Sequence, residues 1–454
     1  MKRFLFITVI AATLVSCVQG NDPIKVKTPS RPAGQEDVIG LTVPAMDSVR
    51  LGIIGLGMRG ELAVYRFTHI PEAKVVAISD LYADRIENAQ KTLVERGRPE
   101  ATAYTGSEDA WKLMCERDDI DLVYICTNWE NHTPMAIYAM EHGKHVAIEV
   151  PAAMTIDEIW QLINTAERTR KHCMQLENDC YDFFALTAKN MLDHGVFGEL
   201  LHVEGSYIHN LEDVWGQYRG NWRLAYNKEF RGNIYPTHAF GPVGHWLDLH
   251  RGDRLTKLVA MDTKAVTGPK EWERITGEKC DYFKNADHTT TLLCTEKGRT
   301  IVLEHNTKTP REYDGMLQIT GTDGFCNLYP IEQYVIRPKN KEEEAIFNPH
   351  HAVSAEVMAD LKAKYKHPVL IQIEDKAKEV GGHGGIDFVM DYRLIYCLCN
   401  GLPLDMDVYD LAETCCVIEL SRISLENGNR PVEVPDFTRG SWNKVQGYRH
   451  AFAE

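Results

Sequence analysis

Through the first third of the chain, short apolar runs alternate with segments in which apolar residues recur at helical spacing. The runs have the β-branched composition of buried strands, and the segments between them have the period of amphipathic helices. Repeated alternation of strand and helix predicts a doubly wound parallel sheet over residues 49–172. The clearest strands are predicted at 49–54, 73–80, 119–128 and 144–150, and the clearest helices at 131–143 and 155–171.

After residue 172 the pattern changes to longer runs in which apolar and polar residues alternate with a period of two. Such alternation is typical of antiparallel strands with one buried face. The run 288–307 is broken by Glu296-Lys297-Gly298-Arg299, which predicts a hairpin. Helical spacing returns at 386–401 and 406–424. We therefore predict an α/β protein whose second domain, residues 173–454, is α+β with an open, mostly antiparallel sheet.

The N-terminus has an apolar run, Phe4 to Leu14, directly after two cations. This is the pattern of a secretion signal. A transmembrane anchor is the alternative, but the run is shorter than the roughly 20 residues that a spanning helix needs. Residues 18–48 are polar and contain proline, so we expect them to form a loosely ordered tether.

Leu14-Val15-Ser16-Cys17 is similar to the bacterial lipobox, in which the cysteine is lipidated and becomes the first residue. We therefore expect residues 1–17 to be a signal peptide and lipobox, with Cys17 as the lipidation site. The contact with a membrane would be through this lipid anchor alone. The residue after the lipidated cysteine is Val18 rather than an aspartate. This favours the outer membrane of a Gram-negative host, on its periplasmic or surface face.

Composition narrows the class of ligand. A chain of 454 residues with 44% hydrophobic content can bury more than one core, as two domains require. The formal charge of −15, without a long Lys/Arg cluster, disfavours nucleic acid, whose binding depends on neutralised phosphates. Of 12 cysteines, 12 − 1 = 11 remain beside Cys17, without metal-ligand spacing. We predict no metal site, mostly buried thiols and at least one unpaired thiol in a monomer.

Gly55, Gly57 and Gly60 form a GxGxxG pattern between the first predicted strand and a helical segment. In a dinucleotide site the first glycine permits the tight turn and the second lets the backbone approach the pyrophosphate. The third lets helix and strand pack closely, and the helix N-terminus faces the phosphates. The pattern alone is a weak signal, and its position between a strand and a helix strengthens it.

Asp80 ends the second predicted strand, 20 residues after Gly60. At this spacing a carboxylate can accept hydrogen bonds from the adenosine ribose. No arginine follows immediately, so the sequence favours NAD over NADP, whose 2′-phosphate would meet the carboxylate. Arg85, one turn later, keeps NADP open.

The order of the two domains, with Glu149-Val150-Pro151 after the fifth predicted strand, resembles the glucose–fructose oxidoreductase and inositol dehydrogenase superfamily, also called Gfo/Idh/MocA. In dehydrogenases of that group the middle residue is lysine, which handles the substrate hydroxyl proton. Val150 offers no proton, charge or hydrogen bond. The departure argues against an ordinary sugar dehydrogenase, because a hydroxyl needs a partner for its proton when it is oxidised.

Residues 201–250 are unusually rich in aromatic residues and hold five of the 18 histidines. Aromatic faces suit the C–H patches of a sugar, and interleaved polar side chains suit its hydroxyls. A polar aromatic rim on a packed domain is the alternative. The aromatic residues are Tyr207, Tyr218, Tyr226, Tyr235, Trp215, Trp222 and Trp246, and the polar ones are Arg219, Asn221, Arg223 and Asn233.

Within that window, "RGNIYPTHAFGPVGHWLDLHRGD" resembles the signature of the NAD-dependent α-N-acetylgalactosaminidases, glycoside hydrolase family 109. The family also shows Glu-Val-Pro-Ala-Ala at 149–153, Trp-Glu-x-His at 129–132 and Leu-Glu-Asn at 176–178, all present here. The resemblance runs from Val49 to the C-terminus.

The resemblance implies two sets of site residues, carried over by motif. The residues expected against NAD are Gly55, Gly57, Met58, Arg59, Gly60, Asp80, Trp129, Glu130, Asn131, His132, Glu149, Val150, Asn178 and Tyr235. The residues expected to hold the sugar are Tyr207, Arg223, Tyr235, Pro236, Thr237, His238 and Tyr313. His238 and Tyr235 are the expected proton-transfer residues, whereas His245 has the pattern of a structural helix residue.

The family's route would be redox-neutral: oxidation at sugar C3, elimination across C2 and C1, addition of water and reduction. The expected substrate is a glycan with terminal α-linked N-acetylgalactosamine, and no convincing pair of catalytic carboxylates is apparent. A sugar dehydrogenase or epimerase and a non-catalytic sugar-binding lipoprotein are the alternatives. The intact glycine pattern with Asp80 weighs against the latter, and homo-oligomer formation stays open.

Overall fold

A computed structural model describes residues 22–341, 344, 348 and 350–453. The predicted signal peptide, lipobox and Cys17 lie outside the described residues. The first domain has a six-stranded parallel sheet in the order β3-β2-β1-β4-β5-β6, which confirms the predicted Rossmann arrangement. Its strands are β1 (Val49–Ile54), β2 (Ala73–Ser79), β3 (Thr102–Tyr104), β4 (Leu122–Ile125), β5 (His145–Ile148) and β6 (Cys173–Gln175). Because β6 pairs with β5, the sheet continues past the predicted boundary at residue 172.

Five helices connect these strands. The first begins directly after the glycine turn, as the fingerprint predicts. The fifth has a capping box in which Thr155 accepts a hydrogen bond from the backbone N–H of Glu158, which explains its sharp start. The helices are α1 (Met58–Phe67), α2 (Ala83–Glu95), α3 (Ala110–Cys115), α4 (Trp129–Glu141) and α5 (Ile156–Thr169).

The second sheet has eight strands in the order β13-β12-β11-β7-β10-β9-β8-β14. Its neighbours are antiparallel except β7 and β10, which run parallel. The hairpin predicted over residues 296–299 is confirmed between β9 and β10. The strands are β7 (Leu200–Ile208), β8 (Leu255–Asp262), β9 (Thr289–Thr295), β10 (Thr300–Asn306), β11 (Gln318–Gly321), β12 (Gly324–Asn327), β13 (Gln333–Ile336) and β14 (Val432–Glu433).

The later helices do not all pack on the second sheet. Helix α12 carries Val389 and Leu394, which share a core with Val49 and Leu51 of β1. The division of the chain at residue 172 is therefore not a division in space. The helices are α6 (Phe183–Asp193), α7 (Trp222–Glu229), α8 (Thr237–Trp246), α9 (Thr267–Thr276), α10 (Ala355–Lys364), α11 (Pro368–Val380), α12 (Ile386–Asn400) and α13 (Val408–Glu426).

Residues 22–48 are docked along the body, so the expectation that they are loosely ordered is wrong for this part of the tether. Ile24 pairs with the backbone on both sides of Val432 in β14. Val38 and Ile39 are only 3% and 8% exposed. Their apolar side chains are isolated in sequence and gain burial from segments far along the chain, which a local pattern does not reveal.

Among the described residues, no helix is long and apolar enough to cross a membrane. The 11 described cysteines are free, and most are buried, as expected of small apolar side chains.

Candidate active site

The glycine turn has the shape that a dinucleotide requires. Gly55 has φ of +86°, a conformation that favours glycine. A Cβ on Gly60 would lie 1.9 Å from the Gly55 carbonyl oxygen, so helix α1 and strand β1 can approach only because this side chain is absent. Gly57 stands directly before α1, whose first N–H groups are free to bind an anion. The cradle fits a pyrophosphate.

Asp80 lies at the carboxyl end of β2 and is fixed toward this turn. Its Oδ2 accepts a hydrogen bond from the Leu56 backbone N–H at 2.7 Å, and its Oδ1 accepts one from Tyr82 N–H at 2.9 Å. Arg85 Nη1 lies 3.3 Å from the same carboxylate. Arg85, the cation that could have bound the 2′-phosphate of NADP, is therefore neutralised by Asp80, and this arrangement favours NAD.

Val150 is part of an apolar wall. It is 5% exposed and packs in one cluster with Trp129, Tyr207 and Tyr235. The neighbouring Glu149 carboxylate pairs with Arg59 at 2.7 Å. At the position where a dehydrogenase lysine would reach the substrate, the chain thus presents an alkyl surface, and proton transfer must come from other side chains.

The cofactor side is completed by helix α12, a predicted helix whose contribution to the site was not predicted. Asp387 Oδ1 accepts a hydrogen bond from Asn178 Nδ2 at 2.7 Å, and Asp387 Oδ2 lies 3.0 Å from Arg59 Nη1. Burial alone would raise the pKa of Asp387. The hydrogen bond from His383 and the charges of Arg59 and Arg66 outweigh burial and hold that pKa well below its ordinary range.

Residues 130–132 lie less directly at the site than Trp129. His132 is 1% exposed, and its Nδ1 and Nε2 lie 2.8 and 3.0 Å from the carbonyl oxygens of Pro151 and Thr127. This histidine therefore fixes the 149–151 turn, whatever its contact with the cofactor. The side chains of Glu130 and Asn131 both bond to Asn128.

On the sugar side, His238 is held in a chain of hydrogen-bonding groups. Its Nδ1 lies 2.6 Å from Glu177 Oε1, and its Nε2 lies 3.3 Å from the Tyr235 hydroxyl. Burial alone would lower the pKa of His238, but the Glu177 and Asp179 carboxylates outweigh it and raise the pKa to about 9. The imidazole is thus oriented by one carboxylate and directed at one phenol.

The two carboxylates beside His238 were not predicted, although Glu177 stands inside the Leu-Glu-Asn motif. Asp179 Oδ2 lies 3.8 Å from the same Nδ1 atom. Burial and the Glu177 charge raise the pKa of Asp179. Since Glu177 is 1% exposed and both carboxylates face one side of the imidazole, they do not flank a substrate as a conventional glycosidase pair does. A polar residue just after β6 was the signal that could have revealed them.

Aromatic and cationic groups surround this histidine. The Tyr207 ring lies 4.8 Å from Tyr235 and 5.3 Å from His238, centre to centre. The Arg223 guanidinium lies 4.4 Å from the centre of the Tyr235 ring. Tyr313 is 41% exposed at the rim. Three of the predicted sugar-binding side chains, Tyr207, Arg223 and Tyr235, therefore lie together beside His238.

Other residues of the aromatic-rich segment 201–250 are buried and have structural roles. Thr237 is fully buried at the start of α8, and Pro236 immediately precedes that helix. Trp215 and Trp246 are buried in cores. His245 is 6% exposed and stacks on a buried tyrosine, which agrees with a structural role.

His383 was also missed, although the sequence "GGHGG" at 381–385 displays it. All five residues of this loop have positive φ, and His383 itself has φ of +47°. Such strain in a non-glycine residue tends to accumulate at functional sites. The imidazole is 61% exposed, and its Nδ1 lies 2.9 Å from Asp387 Oδ2. The contact leaves Nε2 available at the open side of the site.

Two family models match the chain. Glycosyl hydrolase 109, C-terminal domain, matches residues 181–444, and the oxidoreductase family, NAD-binding Rossmann fold, matches residues 49–176. The chain is 58% identical over 467 residues to glycosyl hydrolase family 109 protein 1 of Bacteroides thetaiotaomicron, with 100% of both chains covered. It is 59% identical over 442 residues to a glycosyl hydrolase family 109 protein of Porphyromonas gingivalis, covering 96% of this chain and 94% of that one.

Solved structures share the fold. Levoglucosan dehydrogenase in complex with NADH and L-sorbose has a TM-score of 0.65 at 17% identity, covering 86% of this chain and 100% of that one. The scyllo-inositol dehydrogenase of Lactobacillus casei, with NAD(H) and scyllo-inositol, has a TM-score of 0.61 at 15% identity, covering 85% and 99%. The NAD-binding family model over residues 49–176, together with the geometry above, shows that NAD is the cofactor of this chain.

Proposed function

The chain belongs to glycosyl hydrolase family 109, and from that premise we propose that it releases terminal α-linked N-acetylgalactosamine from glycans by a redox-neutral, NAD-dependent route. Its membership and its NAD-binding domain make it an NAD-dependent glycoside hydrolase. The particular sugar and the sequence of steps are the proposal.

One observation carries the mechanism. The groups that could move protons at the sugar are an imidazole and a phenol, His238 and Tyr235, with the buried Glu177 behind them. A displacement mechanism needs an acid and a base or nucleophile on opposite sides of the scissile bond. A route through oxidation at C3 instead needs proton acceptors near C3 and C2, which this arrangement supplies.

Bound NAD supplies reversible oxidation at sugar C3, after which the C2 hydrogen is acidic enough to be removed. We assign the C3 hydroxyl proton to His238 Nε2, which releases it to solvent through the adjacent Tyr235 hydroxyl and, neutral again, accepts the C2 proton during the elimination. Glu177 holds the ring and stabilises the imidazolium that forms, as in other carboxylate–histidine pairs. Burial raises the pKa of Tyr235 well above its ordinary value while the Arg223 charge opposes that shift, so the phenol is a donor at neutral pH.

Elimination also requires a proton for the departing oxygen at C1. His383 fits this role because Asp387 orients its Nδ1 and leaves Nε2 exposed. The strained loop holds the imidazole near Arg59 Nη1, 3.3 Å from Nδ1, at the cofactor side. Val150 and Trp129 would pack against the nicotinamide and exclude water there.

A test of this function measures cleavage of p-nitrophenyl α-N-acetylgalactosaminide while NADH absorbance is followed. The proposal predicts release of nitrophenol without net NADH, and NAD that co-purifies with the chain and is released on denaturation. Accumulating NADH with an oxidised sugar would instead indicate a dehydrogenase. Sugar binding without turnover in the NAD-loaded protein would indicate a binding lipoprotein.

We also propose that the enzyme is a lipoprotein anchored at Cys17. Since Ile24 is docked on β14, the seven residue steps from Cys17 could span at most about 25 Å. Such a short link would hold the folded domains close to the membrane. Membrane fractionation of Cys17→Ser tests the anchor, which fails if the variant partitions with membranes as the parent does.

A further inference from the structure

Residues 211–229 form a separate cover that extends from the second domain. Trp215 is 1% exposed and packs with Leu211, Leu224 and Phe283 in a small cluster of its own, apart from the two main cores. The segment continues through a short 3-10 turn, Arg219–Asn221, into helix α7. Part of this segment therefore has an apolar cluster of its own.

The cover crosses the Rossmann sheet at the dinucleotide cleft. At one end Arg219 meets Asp84, at the start of α2 after strand β2. At the other end Trp222 and Tyr226 pack against Trp129, at the start of α4 after strand β4, at 5.3 and 5.1 Å between ring centres. Strand β1, with the glycine turn at its end, lies between β2 and β4.

The lengths agree with a crossing. Two strand spacings are about 10 Å. The chain from 219 to 226 can cover this distance, with three residue steps in the kinked turn and four in helix α7, where the rise is about 6 Å. In a doubly wound sheet the strand order reverses direction beside β1, and dinucleotides bind there, across the carboxyl ends of the strands. A segment that touches the elements on both sides of β1 must pass over the bound cofactor.

An ion pair holds the end of this cover that lies near the adenosine part of the cofactor cleft. The two terminal guanidinium nitrogens of Arg219 contact the Asp84 carboxylate, Nη1 at 3.2 Å from Oδ1 and Nη2 at Oδ2. The same guanidinium lies 4.4 Å from the centre of the Tyr82 ring, which Arg85 approaches to 4.9 Å. Sequence patterning assigned Arg219 to the sugar, but the structure places it here, on the Rossmann domain.

We propose that residues 211–229 are a cofactor-retaining cover, and that Arg219, Asp84 and Tyr82 form the latch that keeps NAD bound between turnovers. The inference rests on the proposed function, since an enzyme that restores its cofactor in every cycle gains nothing by exchanging it. The same helix carries Arg223 to the sugar site, so one element closes over both ligands.

The test measures how fast bound NAD exchanges with radiolabelled NAD in the full chain, without substrate. Arg219→Gln and Asp84→Asn each remove the bidentate ion pair at the surface. Arg254→Gln is the matched control, because Arg254 pairs with Glu296 at 2.7 Å in another exposed pair, between strand β8 and the β9–β10 hairpin.

We expect exchange to be roughly threefold to thirtyfold faster in Arg219→Gln and Asp84→Asn, and unchanged in the control. After gel filtration the Arg219→Gln enzyme should lose activity and recover it when NAD is added. Exchange in Arg219→Gln within a factor of two of the parent overturns the inference. Because exchange is measured without turnover, this result is separate from failure of the proposed function, which would show as NAD-loaded protein that does not cleave the glycoside.

Discussion

The two ends of the active site are built in different ways. The cofactor end is formed mainly by one continuous stretch, from the Gly55–Gly60 turn to Asp80, and its shape comes from backbone atoms. The sugar end is assembled from side chains of distant segments, Glu177, Tyr207 and His238. The difference implies that backbone shape determines NAD binding at the cofactor end, and that proton transfer determines the rate at the sugar end. Single side-chain changes should therefore affect the two ends differently.

The largest effect is expected at the sugar end. His238→Ala removes the proposed general base, which should lower kcat by roughly 10²–10⁴-fold. NAD should remain bound, because the cofactor end does not depend on this ring. Activity and bound NAD are measured on the same preparation, with His202→Ala, a partly exposed histidine on β7, as the control. Adding Val150→Lys to His238→Ala should not restore activity, since one ammonium group cannot transfer all the protons that the reaction moves. If His238→Ala lost its bound NAD together with its activity, the two ends of the site would not be separable as described.

His383→Ala should lower turnover by about 10²-fold on aglycones that leave poorly. The loss should be much smaller on p-nitrophenyl glycoside, whose leaving group needs little protonation. A merely structural role would reduce both rates alike, and that outcome would remove His383 from the mechanism. Rates on an alkyl and an aryl glycoside make the comparison.

At the cofactor end, two glycines separate shape from ligand contact. A Cβ on Gly60 would press on backbone at 1.9 Å, whereas one on Gly57 would meet the Arg85 side chain at 3.5 Å. Gly60→Ala should therefore lower the free energy of unfolding by roughly 1–3 kcal/mol even without NAD. Gly57→Ala should weaken NAD binding and leave stability unchanged. Denaturant unfolding and NAD titration test both, and equal stabilities would contradict the packing argument.

The smallest expected change is a shift in pH dependence. His238 must be neutral to accept a proton, so kcat/KM should rise as pH rises through its pKa, about 9 in the cofactor-free chain. Glu177→Gln removes the charge that raises this pKa while still accepting a hydrogen bond, so the rising limb should move to lower pH. Glu296→Gln, an exposed carboxylate, is the control. An unmoved limb would mean that another group titrates.

Local sequence patterns predicted most of the fold and pointed to several residues of the candidate site. Strand and helix periods identified the parallel sheet and the 288–307 hairpin, and spacing identified Asp80, because each depends on neighbouring residues. The packing of α12 on β1 and the docking of residues 22–48 depend on partners far along the chain. For the same reason Glu177 and His383 were missed although their motifs are visible in the sequence.

The central claim is that cleavage proceeds through oxidation at C3 and elimination across C2 and C1. Elimination removes the C2 hydrogen, whereas displacement never touches it. N-acetylgalactosamine released in deuterated water should therefore carry deuterium at C2 by mass spectrometry and NMR, and C3-deuterated substrate should react more slowly. Product from active enzyme with an undisturbed C2–H, together with no rate difference for the C3-deuterated substrate, would contradict the account.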